Sequence, residues 1–248
     1  MNVQGGKQTL GVNFFNTYAP VVTWFAIRLL IIIAMVLLWD IRQIYFVIAY
    51  PQSPIECDMY LKIPEGVETD QGFNKPQIFK LLKNIYGQNQ AERVWNDYLR
   101  GKLIKLGFRR SLIDECIFNR EILLFLVYVD DGIFVSLDRS KIYDAIKELQ
   151  RNNLKTEDQV HPADYVGVNI SRLENDYYEF TQPALTHQII EDVGLVPKAT
   201  TKPIPMSAQC LLNHHLDSPS NDESELNYRS LIGKINYLDQ CLRPDTVH

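Results

Sequence analysis

The sequence predicts an α+β fold in which helices and strands are interleaved irregularly along the chain. Two short apolar runs on either side of Asp130 and Asp131 have the length and composition of a strand hairpin. Amphipathic helical patterns precede and follow this hairpin. The 248 residues, 46% apolar and 22% charged, are typical of a globular protein with a substantial core.

The first predicted helix runs from about Thr23 to Leu38. Its apolar segment, residues 29–39, has about half the length that is needed to span a bilayer. We therefore interpret it as a core helix. The opening residues lack the features of a signal peptide, so a cytoplasmic location is expected. A strand follows through "IRQIYFVIAY" to Tyr50 and ends at a proline-rich loop.

The later elements are predicted from periodicity and from glycine and proline positions. A helix begins after Gln90 and ends at Gly107, and another follows the hairpin, with Ile142, Ala145, Ile146 and Leu149 on its apolar face. A strand pair and a helix from Pro183 to Gly194 come next. These patterns divide the chain into residues 1–195, a linker rich in Pro, Ser and Asn at 196–225, and a helical segment at 226–248.

Charge and cysteine content exclude several classes of protein. The net charge of −5 does not favour a nucleic-acid partner, so a basic surface would have to be local. The four cysteines are scattered without a CxxC pair, which indicates reduced thiols rather than a disulfide framework or a zinc site. His214 and His215 lie in a polar stretch and are interpreted as solvated.

The hairpin "LLFLVYVDDGIFVSLD" (123–138) places two adjacent carboxylates between apolar strands. Asp131-Gly132 predicts a tight turn, because glycine supplies the positive φ that such turns need. One interpretation is a buried hairpin with a solvated turn. The other is a divalent-metal site on a rigid mount, since hard cations bind carboxylate oxygens. The hairpin by itself does not decide between them.

Five segments that occur in a fixed order favour the metal site, because together they resemble a known family. They are "TYAPVVTWFAIRLL" (17–30), "IYGQNQAERVW" (85–95), "YVDD" (128–131), "DYVGVNISR" (164–172) and "NYRSLIGKINYL" (227–238). Their order and spacing resemble the reverse transcriptase of copia-type (Ty1/copia) LTR retrotransposons over nearly the whole chain.

The resemblance implies an RNA-directed DNA polymerase shaped like a right hand, with fingers, an antiparallel palm sheet packed on helices, and the start of a thumb. It implies that Asp130 and Asp131 bind Mg²⁺ in a two-metal site. It also implies an RNA template, a DNA primer and deoxynucleotides as partners. Candidate nucleotide or template contacts are Gln90, Arg93, Arg28 and Tyr50, the last matching the aromatic residue that excludes a ribose 2′ hydroxyl. For Arg28 and Tyr50, ordinary structural roles are the alternative.

One departure from the family affects the metal site directly. The family pattern is similar to "WDIHQLDVKTAFLNG", and this chain reads "WDIRQIYFVIAYPQS", which places Tyr45 where the family has a metal-binding aspartate. A phenol has a pKa near 10 and is neutral at pH 7. Asp40 and Asp58 are too distant along the chain to replace it. We therefore expect Tyr45 beside the hairpin and only weak Mg²⁺ binding.

Further departures affect nucleic-acid binding. Gln88, Asn89 and Glu92 stand where the family has Leu, Lys and Pro, so a cation is lost and a carboxylate is gained. The strand that precedes the fingers motif, the integrase and the RNase H are also expected to be missing, as in a polyprotein fragment. The sequence thus predicts a catalytically impaired reverse transcriptase domain. The alternatives are an active polymerase that tolerates Tyr45 and a binding or interaction module without catalysis.

Overall fold

The structure is a computed structural model that describes residues 2–63, 78–159, 164–174, 177–195 and 227–242. It divides into two compact units, residues 1–166 and 167–248. The predicted linker at 196–225 and the His214–His215 pair lie outside the described residues. The predicted boundaries at 195 and 226 stay predictions.

The first unit holds helices and strands in irregular order, as the sequence predicts. Its helices are α1 (Trp24–Val36), α2 (Ala49–Gln52), α3 (Ala91–Lys105) and α4 (Arg139–Arg151). Its strands are β1 (Asp40–Phe46), β2 (Tyr60–Lys62), β3 (Ile78–Lys80), β4 (Arg109–Arg110), β5 (Ile117–Arg120), β6 (Leu123–Tyr128), β7 (Asp131–Ser136), β8 (Thr156–Gln159) and β9 (Asp164–Tyr165).

A sheet of six described strands forms the centre of this unit, in the order β4-β5-β6-β7-β1-β8. Every neighbouring pair in it is antiparallel. Strand β1 lies between β7 and β8, so it is an interior strand although it is the first to be synthesised. The mixed architecture and the antiparallel sheet confirm the predicted fold class at that level.

Helices α3 and α4 cover one face of the sheet because their apolar residues recur at helical spacing. The core cluster joins Trp95, Leu99 and Leu103 of α3 and the apolar face of α4 to aromatic residues of the strands. Phe125 and Phe134 stack at 3.9 Å between ring centroids, and both are fully buried. Ile133 and Val135, which alternate with Phe134 along β7, are also buried. Helix α1 packs against β1 and β7.

Helix α1 confirms the first predicted helix, but only one side of it belongs to the core. It ends at Val36, and only its sheet-facing side is buried. Phe25, Leu29, Ile32 and Val36 follow one another along the other side and are exposed. A helix packed on one side of a sheet can bury only one face, so the remaining apolar residues stay in contact with water. None of the helices in the described ranges has both the length and the apolar character that crossing a bilayer requires.

The predicted strand to Tyr50 is also wrong at its C-terminal end. Strand β1 ends at Phe46, and the single turn α2 follows. Ile48, the N-cap of α2, has a left-handed conformation with φ 52°, which breaks the extended backbone. Tyr50 is therefore a helix residue.

The N-terminal segment of the first unit is attached to the "IYGQNQAERVW" motif. The amide of Val3 donates to the carbonyl of Tyr86 at 3.0 Å, and Gln8 accepts from the amide of Asn89 at 2.8 Å. Gly87 has φ 90°, and a Cβ there would lie 2.1 Å from the carbonyl oxygen of Val3. Only glycine allows this close approach of the two backbones.

The second unit contains the strand pair and the two helices that the sequence predicts. Strands β10 (Val168–Arg172) and β11 (Tyr178–Thr181) are antiparallel. Helix α5 (Pro183–Val193) ends at Gly194 in the left-handed conformation, and α6 is Tyr228–Cys241. Lys234 and Asp192 form an ion pair of 2.7 Å between these two helices.

Candidate active site

The two adjacent aspartates lie at the tip of the β6–β7 hairpin. Tyr128 pairs with Asp131, which leaves Val129 and Asp130 as the turn. The carbonyls of this turn are bound on both sides. The indole Nε1 of Trp95 donates to Val129 O at 2.6 Å, and the amide of Phe46 donates to Asp130 O at 2.7 Å. The carboxylates of Asp130 and Asp131 thus lie at a turn whose backbone is hydrogen-bonded to α3 and to β1.

The predicted Asp131-Gly132 turn is wrong by two residues. Gly132 lies within β7, where it pairs with Val127 and with Ile44, and Val129 has the positive φ, 50°. Glycine is required at position 132 for a different reason. A Cβ there would lie 2.6 Å from Cε2 of Phe125. The Asp-Gly signal therefore reflects close packing under the turn, and the turn itself accepts a strained β-branched residue.

Tyr45 lies beside the hairpin, where the sequence predicts it. It pairs with Asp131 across the β1–β7 ladder, and its hydroxyl donates to Oδ2 of Asp130 at 3.2 Å. Burial and the negative charge of Asp130 raise the pKa of Tyr45 above its ordinary value. At neutral pH, Tyr45 is therefore an uncharged hydrogen-bond donor to the carboxylate.

A second phenol that sequence reasoning missed contacts the same oxygen. The hydroxyl of Tyr86 lies 3.4 Å from Oδ2 of Asp130, and burial together with that carboxylate raises the pKa of Tyr86 to about 12. Gln43 approaches the other aspartate, with Nε2 at 3.3 Å from Oδ1 of Asp131. Tyr86 lies in a motif that the sequence analysis singled out, but nothing local indicates a contact with a residue 44 positions away.

The donor set does not fit the pair of metal ions that nucleotidyl transfer uses. By the family resemblance, such a pair is bound by carboxylates from two neighbouring strands. The hairpin supplies two, and the facing position on β1 holds a phenol. Asp40 pairs with Ser136 at the other end of β1, and Asp58 forms an ion pair with Lys80. Within the described ranges, no group of three or more His, Cys, Asp or Glu side chains could hold a metal ion.

Glu92 adds another carboxylate near this site. Burial, and then the charge of Asp130, raise the pKa of Glu92. The first cause is desolvation of the carboxylate, and the second is repulsion between like charges.

The structure does not bring all the candidate nucleotide-binding residues to the aspartates. Tyr50 is connected to Asp130 through Tyr86, because the rings of Tyr50 and Tyr86 pack with 4.6 Å between their centroids and the Tyr86 hydroxyl contacts Asp130. Gln90 is 2% exposed and accepts from Nε2 of Gln8 at 3.0 Å, so it connects α3 to the N-terminal segment. Arg28 is a half-buried residue of α1.

Arg93 is engaged within the protein. Its Nε donates to the carbonyl of Asn16 at 2.9 Å, and its guanidinium forms ion pairs with Glu56 and with Asp97. The hydrogen bond to Glu56 is the main reason that the pKa of Arg93 is raised. A phosphate would have to compete with these carboxylates for the guanidinium.

Adjacent aspartates on a hairpin of an antiparallel sheet, beside a facing interior strand, are the arrangement expected of a template-directed polymerase. The family comparison agrees. The chain belongs to the family described as reverse transcriptase (RNA-dependent DNA polymerase), whose model matches residues 1–208. The similarity of the chain to retrovirus-related Pol polyproteins of transposons agrees with the resemblance to the copia type.

Several transposon polyproteins are similar to this chain. The retrovirus-related Pol polyproteins from transposons RE1 and RE2 of Arabidopsis thaliana are 28% and 29% identical over 250 residues, which cover 98% of the chain. That from transposon TNT 1-94 of Nicotiana tabacum is 24% identical over 261 residues. The chain spans 16% of the length of the first two and 19% of the third.

Proposed function

We propose that the six-stranded sheet is the palm of a right-hand polymerase fold whose catalytic site is impaired in this chain. Residues 1–195 would form fingers and palm, and 226–248 would lead towards an RNase H region. Asp130 and Asp131 would be the remaining metal ligands. RNA template, DNA primer and deoxynucleotide would be the substrates of an intact relative.

The hydrogen bond from Tyr45 to Asp130 is the observation that supports impairment. Its 3.2 Å length places a neutral phenol against the carboxylate at the position where the family resemblance requires a third acid. Tyr86 donates to the same oxygen, so the negative charge of Asp130 is already solvated by protein hydroxyls. A divalent cation would have to displace these hydroxyl donors, and it would have one carboxylate ligand fewer than in a site that holds the third acid.

Weak metal binding is the first expected result. Titration with Mn²⁺, followed by water-proton relaxation, should give only millimolar affinity, because Mg²⁺-type sites with one or two carboxylates depend on substrate phosphates and waters for their remaining ligands. Asp130→Ala should remove the binding that remains. Tight, Asp130-dependent binding of two ions to the free protein would contradict the proposed defect.

Primer extension tests the proposed function directly. The purified chain, given an RNA template, a DNA primer, deoxynucleotides and Mg²⁺, should show no extension beyond that of the Asp130→Ala variant. Asp144→Ala, at an exposed position of α4, is the matched control for loss of an aspartate. Magnesium-dependent extension that Asp130→Ala abolishes and Asp144→Ala leaves intact would establish an active polymerase that tolerates Tyr45.

A further inference from the structure

We propose that Trp95 is a positioning residue that holds the turn bearing Asp130 in a strained conformation. The inference rests on the proposed function, in which Asp130 and Asp131 are the remaining metal ligands. Its structural basis is separate, because it concerns the backbone of the turn and not the residue at position 45. Trp95 contacts the turn through its indole N–H, which donates to the backbone carbonyl of Val129.

The backbone of the turn is strained at Val129. Its φ of 50° lies in the left-handed region, which β-branched residues avoid because of steric contact with their own backbone. Conformations of this kind are energetically unfavourable and persist only where the surrounding structure imposes them. Some contact must therefore stabilise this turn against relaxation.

Trp95 supplies such a contact from the core. Its indole is 1% exposed, and Nε1 donates to the carbonyl of Val129 at 2.6 Å. A buried indole N–H needs an acceptor, so the bond serves both groups. The ring also packs edge-on against Phe46 at 5.3 Å, and the amide of Phe46 binds the next carbonyl, that of Asp130, at 2.7 Å. Consecutive carbonyls of the turn are thus bound from α3 and from β1.

The consequence concerns the direction of the Asp130 side chain. The orientation of a peptide plane in a two-residue turn sets the orientation of the side chain that follows it. If Val129 O lost its donor, the backbone could rotate about the N–Cα bond of Val129 towards negative φ, and this rotation would turn the Val129 carbonyl and the Asp130 residue that follows it. The carboxylate would then leave the geometry in which Tyr45 and Tyr86 contact it. Trp95 therefore controls the site through backbone geometry.

Trp95→Phe is the test, because it keeps an aromatic ring against Phe46 and deletes the N–H. The amide of Phe46 reports on the turn, since its proton is bonded to Asp130 O. Hydrogen exchange at this amide should become about tenfold faster relative to the amides of Ile133 and Val135, as expected for loss of one buried hydrogen bond. Tyr98→Phe, which alters the aromatic neighbour of Trp95 on α3, should leave this ratio unchanged.

A rescue variant distinguishes positioning from packing. Val129→Gly removes the steric penalty at positive φ, so in the Trp95→Phe background it should restore most of the protection at Phe46. Equal loss of protection across Phe46, Ile133 and Val135, or the same effect from Tyr98→Phe, would show that Trp95 only packs and would overturn the proposal. Failure of rescue by Val129→Gly would overturn it as well.

Activity gives a second readout in a chain that carries Tyr45→Asp. There, Trp95→Phe should lower kcat for primer extension by about 10- to 100-fold, as small misplacements of catalytic groups do, with little change in the nucleotide KM. If Tyr45→Asp yields no extension even together with Asn89→Lys and Glu92→Pro, the proposed cause of impairment fails. The exchange measurement on the unmodified site still decides the role of Trp95.

Discussion

Tyr45→Asp is expected to turn a chain without measurable primer extension into one that extends a primer on RNA. The substitution places a carboxylate opposite Asp131 on the interior strand β1, beside the hairpin aspartates. It also removes the phenol that donates to Asp130. Each ~1.4 kcal/mol of transition-state stabilisation changes the rate tenfold, so completing a two-metal site can raise the rate by many orders of magnitude.

Two further variants isolate the effect of the carboxylate. Asp130→Ala in the Tyr45→Asp background should abolish the gained activity. Tyr45→Phe, which deletes the phenol oxygen without adding an acid, should remain inactive. Activity in Tyr45→Phe equal to that in Tyr45→Asp would show that the phenol blocks the site and that no third acid is needed.

We propose that Asn89 and Glu92 are separate obstacles to restoration. A revertant should therefore also be made with Asn89→Lys and Glu92→Pro. Proline at position 92 falls in the first turn of α3, where the missing N–H costs little. Asn89→Lys gives up the hydrogen bond from Nδ2 of Asn89 to the carbonyl of Gly5, so a weaker hold on the N-terminal segment is expected. Extension that appears only with these changes would place the main defect in nucleotide binding.

Gly132→Ala is expected to destabilise the protein by about 1–3 kcal/mol, the usual cost of overpacking a core. The added methyl group would lie 2.6 and 2.8 Å from ring atoms of Phe125 and 3.1 Å from Cγ1 of Ile44. Phe125 cannot move aside easily, because it is fully buried and stacks on Phe134. The midpoint of urea unfolding should fall with little change in its slope.

Gly101→Ala is the matched control. Gly101 lies within α3, and a Cβ there meets nothing within 4 Å, so alanine should leave stability unchanged or raise it by about 0.5–1 kcal/mol. Phe125→Leu combined with Gly132→Ala should cost less than the sum of the two single changes, because the smaller side chain makes room for the methyl group. A Gly132→Ala protein as stable as the parent would contradict the steric reason for this glycine.

Periodicity predicted most of the fold because it records which faces are buried. The helix after Gln90 and the helix that begins at Pro183 begin and end close to the predicted residues. The helix after the hairpin buries the four residues that were predicted for its apolar face. The position of Tyr45 beside the hairpin followed from the ungapped resemblance. These features depend on local patterns or on one motif, so a single sequence contains them.

The errors arise where tertiary contacts override local preference. Asp131-Gly132 has the composition of a turn, yet packing against Phe125 fixes the glycine inside β7 and moves the turn to Val129. The end of β1 depends on the left-handed backbone of Ile48, for which an isoleucine gives no local signal. The contact between Tyr86 and Asp130 joins distant segments, and no periodicity indicates it.

The interior position of β1 has a consequence for how the chain folds as it leaves the ribosome. Tyr45 and Asp130 are 85 positions apart, and Arg42 and its ion-pair partner Asp158 are 116 positions apart. At about 5–20 residues per second, β1 must wait several seconds before either neighbouring strand exists. During that interval α1 and β1 expose an almost continuous apolar segment without a sheet to cover it. We therefore expect a slow folding phase that depends on chaperones, with aggregation through residues 24–46 when chaperones are absent. Replacement of Ile32 by a charged residue should reduce this aggregation during synthesis.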